Sequence, residues 1–223
     1  MILVEAAVES LQSALEAERA GADRIELCVN LDEGGTSPSA DLIAAVVRQA
    51  RLPVFVLIRP RAGGFVYSDV ELDTMIREIE LAASMGVAGI VTGALNPDRS
   101  VDVEHTRILI KAAAGLPVTF HRAFDSAVDP SEALEQVIDA GASRVLTSGG
   151  AATALEGADA IATLVAQAGE RLSIVAGGSI REHNVRDIVE RSGAREIHAR
   201  LIDERRMRNL VDVLRRKTVP GSE

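Results

Sequence analysis

Aromatic side chains are almost missing from this sequence: one Tyr, four Phe and no Trp among 223 residues. The core therefore has to be assembled from Ala, Val, Ile and Leu, which suits close interdigitation of helices on a sheet. Cysteine is reduced to Cys28, which excludes an intrachain disulfide and fits a reducing compartment. Lysine is reduced to Lys111 and Lys217, neither in a predicted strand, which disfavours a Schiff-base aldolase. Apolar runs such as Ile43-Ala44-Ala45-Val46-Val47 are far too short for a bilayer span. The opening Met1-Ile2-Leu3-Val4-Glu5 lacks the charged start and long apolar stretch of a signal peptide, so a cytoplasmic protein is expected. Positive charge is in deficit too, with 24 Lys and Arg against 33 Asp and Glu. A chain of net charge −9 repels polyphosphate and anionic lipid, so neither nucleic acid nor a membrane is expected as partner. Any anion bound here must be met by clustered arginines.

What is present is punctuation. Gly21-Ala-Asp-Arg-Ile-Glu-Leu27 is echoed by Gly86-Val-Ala-Gly-Ile-Val-Thr92, Gly141-Ala-Ser-Arg-Val-Leu-Thr147 and Gly193-Ala-Arg-Glu-Ile-His-Ala199. Each follows a helical segment and opens a short apolar run, as expected where a glycine ends a helix and a strand begins. Pro53 and Pro117 precede two further strands. Helix starts are marked by the capping boxes Ser68–Glu71, Thr153–Glu156 and Ser179–Glu182, and by Asp129-Pro130 and Ser37-Pro38. Between these marks the sequence predicts strands near 2–6, 24–28, 54–59, 88–92, 117–121, 143–148, 172–177 and 195–199. Helices are predicted near 9–20, 39–50, 69–84, 102–114, 130–140, 155–168, 181–192 and 203–216. Eight alternating units predict an α/β fold, a single (β/α)8 TIM barrel spanning residues 1–223. An open doubly wound sheet is the alternative, but the first turn, Glu5-Ala-Ala-Val-Glu9, carries no glycine fingerprint.

A barrel interior is normally apolar, so polar residues at strand ends call for explanation. They are Glu5; Glu26 with Cys28; Arg59 and Arg61; Thr92; Thr119, His121, Arg122 and Asp125; Thr147 and Ser148; Gly177-Gly178; and His198 with Arg200. Alternation puts Glu26 and Cys28 on one face, and Thr119 and His121 on one face. One reading is a set of structural ion pairs plugging the mouth, such as Glu26–Arg59 or Asp125–Arg122. The other is a functional site. Arg59, Arg61 and Arg122 would form an anion trap, with amides of Gly177 and Gly178 and the Ser148 loop beside it. Glu26 or Glu5 with His121 would supply general acid/base chemistry, and Asp125 would assist. His105 and His183 fall on predicted helices, and His198 can face either way. Cys28, the lone thiol, is either a small buried hydrophobe or a ligand. The basic stretch Glu204-Arg-Arg-Met-Arg208, with Arg215-Arg216-Lys217, reads as a solvated last helix.

These segments resemble the copper-homeostasis proteins of the CutC type. The matching stretches are Gly21 to Cys28, Glu33-Gly-Gly35, Ile58-Arg-Pro-Arg61, Tyr67-Ser-Asp69, Val91-Thr-Gly93, Thr119-Phe-His-Arg-Ala-Phe-Asp125, Leu146-Thr-Ser-Gly149 and Val175-Ala-Gly177. The resemblance implies a (β/α)8 barrel, a cytoplasmic homo-oligomer and a role in copper handling, with copper(I) on Cys28. Relatives can carry further cysteines in the first strand and before the Tyr-Ser-Asp segment; here those places hold Glu5-Ala-Ala7 and Phe65-Val-Tyr67. Copper(I) wants sulfur and an anion site wants arginine. The sequence thus leaves three readings: a copper-binding protein using Cys28, an isomerase, lyase or hydrolase acting on a small anionic metabolite, and a ligand-binding barrel whose mouth charges are structural.

Overall fold

Helix α1 (Leu11–Ala20) stops at Gly21, whose φ of 88° lets its N–H turn back onto the carbonyls of Ala17 and Glu18. The chain then enters strand β2, and the same device recurs around the molecule. The computed structural model describes residues 1–216; Lys217 lies outside them. The strands are β1 Leu3–Val8, β2 Arg24–Leu27, β3 Val54–Leu57, β4 Gly89–Thr92, β5 Val118–Phe120, β6 Arg144–Thr147, β7 Ser173–Gly177 and β8 Glu196–Arg200. After α1 the helices are α2 Ala40–Gln49, α3 Asp69–Ser84, α4 Val103–Ala112, α5 Pro130–Ala140, α6 Ala158–Ala168, α7 Val185–Ser192 and α8 Glu204–Arg215. The strands pair in parallel in chain order, and β8 pairs back with β1 to close the barrel. The open sheet is excluded.

Several boundaries differ from the sequence reading, each for a local reason. Strand β1 runs on to Val8, whose carbonyl accepts the N–H of Cys28, so Glu5 is mid-strand rather than at the mouth. Ser37-Pro38 does not start α2; Ser39 caps it, while Ser37 Oγ donates to Glu78 and accepts from the Arg59 N–H. Thr153 and Glu156 close a free-standing turn, and α6 begins after Gly157, where a Cβ would sit 1.9 Å from the Ser148 carbonyl oxygen. Helix α7 starts late because Asn184 bonds Arg181 N–H and the Ser179 carbonyl, closing a turn. Two short 3-10 turns, Leu31–Glu33 and Arg122–Ser126, were not marked by any periodicity.

One strand face packs Ile25, Val56, Ile90, Val145, Ile174 and Ile197 into the main core with the helices. The other face fills the barrel, and its lower layer is ionic rather than apolar. Arg24 lies between Glu5 (Nε to Oε2 2.5 Å) and Glu196 (2.6 Å). Arg144 reaches Glu196 at 3.5 Å, and Ser173 Oγ donates to it at 2.7 Å. Both guanidinium groups lie over the Phe55 ring, at 4.9 and 4.6 Å. Phe55 in turn fills the space opposite Gly89, where a Cβ would meet the ring at 2.4 Å.

Candidate functional site

Above that layer a cavity of about 500 Å³ opens at the C-terminal mouth of the barrel. Four arginines (Arg59, Arg122, Arg181, Arg200) and three carboxylates (Glu26, Glu33, Asp125) line it with His121 and His198. The balance is positive in a chain of net charge −9.

Arg59 follows β3 and is 5% exposed. Its guanidinium donates to the carbonyls of Gly35 (2.9 Å) and Gly63 (2.8 Å) and lies 4.9 Å over the Phe65 ring. No carboxylate pairs with it among the described residues, and its Nε has no partner. Arg61, two residues on, stands apart from the cavity. Beyond Leu57 the chain has left the strand, so alternation no longer applies; Arg61 pairs with Glu71 at 2.5 Å and covers Tyr67.

Arg122 lines the cavity and is steered by Asp125 (2.8 Å) and Ser148 Oγ (2.9 Å). Asp125 also accepts from Thr147 Oγ1 and the amides of Ser148 and Gly150. Its lone pairs are largely used, which suits an orienting group. Ser148 is fully buried behind the lining. Gly178 reaches the cavity; Gly177 does not, because it packs against Leu146.

His121 caps the 3-10 turn that follows β5, accepting the Ala123 N–H on Nδ1 at 3.3 Å. Its Nε2 is buried without a partner, and burial, with Arg59 adding to it, pushes the ring down to about 3. It is therefore neutral at physiological pH. Glu26 lines the cavity at 4% exposure with Oε2 unpartnered. Burial pushes its carboxyl up to about 7, against the pull of His198. Glu5 is not in the lining but one layer below, bonded to Arg24 and, at 2.8 Å, to His198 Nδ1. Burial acts to raise its carboxyl, yet His198 and Arg24 hold it well below the usual range. His198, left open by the sequence, faces inward; burial opposes its charge, but Glu26 and Glu5 raise it above the ordinary value. The alternation Glu196-Ile-His-Ala-Arg200, polar residues in and apolar out, was the available signal.

Cys28 shares its face with Glu26 but lies outside the lining, packed with Phe55, Leu57 and Val91 under Leu31. Burial, with Glu26 and Glu9 adding to it, pushes the thiol far above its usual value. Met75 and Met207 belong to the helix-facing core, Met85 packs against it and Met1 is exposed, so no second sulfur joins it among the described residues. This environment does not fit copper(I), which needs a thiolate and further soft donors.

Comparison with known proteins places the barrel in a lineage. Residues 2–202 match the CutC family. The human copper homeostasis protein cutC homolog is 48% identical over 196 residues, covering 88% of this chain and 72% of that protein. A family protein CutC from Xanthomonas axonopodis pv. citri is 47% identical over 196 residues, covering 88% and 82%. The solved structure of CutC from Streptococcus agalactiae superposes with a TM-score of 0.84 at 34% identity, over 89% of this chain and 98% of that one. The chain belongs to the CutC family.

Proposed function

We propose that this chain acts in copper homeostasis, a role supported by the human and mouse relatives that carry that name. We further propose that its mouth cavity binds a small carboxylated or phosphorylated metabolite. The observation that carries the second statement is Arg59: a buried guanidinium held by backbone carbonyls and the face of Phe65, with no carboxylate among the described residues to neutralise it. Burying an unpaired charge costs several kcal/mol, about what a bound anion would offset. Arg122, aimed by Asp125 and Ser148, and Arg181, which has no ion pair among the described residues, would grip the same ligand beside the Gly178 loop. Gly177, Glu5 and Ser148 shape this site from behind it, and Arg61 serves the loop before α3 rather than the ligand.

The conversion of such a ligand is part of the proposal. Glu26 gains or loses its proton near neutral pH and is the natural acid/base group. His121, neutral and with a free Nε2–H, donates a hydrogen bond rather than a proton. A cytoplasmic location and assembly into a homo-oligomer belong to the proposal through the family resemblance, and light scattering on the purified chain reads the assembly. No helix of the described residues is long and apolar enough to cross a membrane.

Calorimetric titration with inorganic phosphate and with pyruvate tests the site. The wild type is expected to bind at least one of them, and Arg59→Met to lose it by about tenfold or more, since a charge-assisted bond contributes on the order of 1.5–3 kcal/mol. Binding of neither, or binding indifferent to Arg59, refutes the anion site. A parallel copper(I) competition is expected to show no tight site lost in Cys28→Ser; the opposite result would restore the thiol as the copper ligand.

A further inference from the structure

We propose that Glu5, Glu26 and His198 form a site for a divalent first-row cation at the floor of the cavity. One donor atom from each lies within 4.8 Å of the other two. His198 Nδ1 is 2.8 Å from Glu5 Oε1 and 3.8 Å from Glu26 Oε2. Donors on one ion at about 2.0–2.2 Å stand roughly 3–3.5 Å apart, so the His198–Glu5 edge is already at ligand spacing and Glu26 would move toward the other two.

Glu26 Oε2 is the independent sign of a missing partner: a buried, ionisable oxygen without a hydrogen bond, whose one ion-pair contact is His198 Nδ1 at 3.8 Å. The charge count bears on the site too. Glu5, Glu26 and Glu196 meet Arg24, Arg144 and the imidazole of His198; with His198 neutral, as a metal ligand must be, one negative charge is left for a cation to meet. The three ligands sit on adjacent strands, β1, β2 and β8, whose register pairs Glu5 with His198 and Ala7 with Glu26. Arg24 holds the outer oxygen of Glu5 and leaves the inner one toward the site, as outer-shell partners of metal ligands do.

Two carboxylates and an imidazole suit zinc, manganese or iron(II), and they are the wrong donors for copper(I). Glu26 and His198 also line the cavity, so the remaining coordination positions face the anion held by Arg59. The cation site does not depend on that anion, and the two proposals fail by different results; with a cation bound, Glu26 is held ionised as a ligand, so its acid/base role belongs to the metal-free site.

The test titrates chelator-treated, reduced full chain with Zn²⁺ and with Mn²⁺ at neutral pH. One equivalent per chain is expected, with Zn²⁺ the tighter. Glu26→Gln should weaken binding by about tenfold or more and should melt no lower than wild type, because it removes an unpaired buried charge. Cys28→Ser should bind as wild type does, which excludes the thiol. The Mn²⁺ electron-spin-echo signal should show one imidazole nitrogen, lost in His198→Gln. Absence of binding, or binding unmoved by Glu26→Gln, overturns the proposal and assigns the excess charge to a proton shared by Glu26 and His198. Loss of phosphate or pyruvate binding in Arg59→Met is read separately and bears only on the anion site.

Discussion

Two sets of arginines occupy the interior of the same barrel and are treated differently. Arg24 and Arg144, in the lower layer, are neutralised by Glu5 and Glu196 and stacked on Phe55. Arg59, at the mouth, has only carbonyls for partners and keeps an unsatisfied Nε. Arg24, Arg144, Glu5 and Glu196 satisfy one another, whereas three cavity-lining residues keep an atom without a partner, Arg59 Nε, Glu26 Oε2 and His121 Nε2; the other such atoms among the described residues, Tyr67 Oη, Thr106 Oγ1 and Thr119 Oγ1, lie outside the lining. Since buried polar groups are nearly always satisfied, that concentration of exceptions marks where a ligand belongs. Arg24, Arg144 and Glu196 are scaffold by the same standard.

The largest effect should come from breaking the self-contained layer. Glu5→Ala leaves Arg24 with Glu196 alone and His198 with only Glu26 at 3.8 Å, and urea unfolding should show a loss of about 3 kcal/mol, toward the lower end for a buried pair deprived of one partner. Gly89→Ala tests the same layer sterically: a methyl driven into Phe55 should cost about 1–3 kcal/mol in the same assay.

Glu26→Gln sharpens the contrast through pH. The folded carboxyl is raised from 4.5 to about 7, so its ionisation destabilises the fold progressively between these values. In metal-free protein the variant should gain little near pH 4.5 and most above pH 7, on the order of 1–3 kcal/mol. A melting-temperature difference that stays flat with pH would contradict this account of Glu26. The smallest effect is expected at Arg61. Its pair with Glu71 is partly exposed, so Arg61→Ala should change stability by less than about 1 kcal/mol and leave anion binding intact.

The barrel itself was legible because its punctuation is local: a glycine that must end a helix, or a serine that caps one, announces itself within a few residues. The site was legible only as far as alternation reaches. It put Glu26 and Cys28 on one face of their strand, yet whether such a residue meets the cavity depends on what packs over it, and Leu31 packs against Cys28. It treated Arg59 and Arg61 alike because the end of β3 at Leu57 is not written in the sequence. Glu5 was placed too high since β1 continues through apolar residues to Val8. Arg24, Arg144 and Glu196 escaped notice at strand beginnings, where an ion pair across the barrel depends on closure of the sheet and not on neighbours in the chain.

The most direct test of the distinction is urea unfolding of Arg24→Met and Arg59→Met side by side, with and without inorganic phosphate. The account predicts that Arg24→Met loses several kcal/mol and is still stabilised by phosphate, while Arg59→Met loses much less and phosphate no longer stabilises it. Equal losses in the two variants, with phosphate stabilising both or neither, would contradict the division of this barrel into a scaffold layer and a ligand-binding mouth.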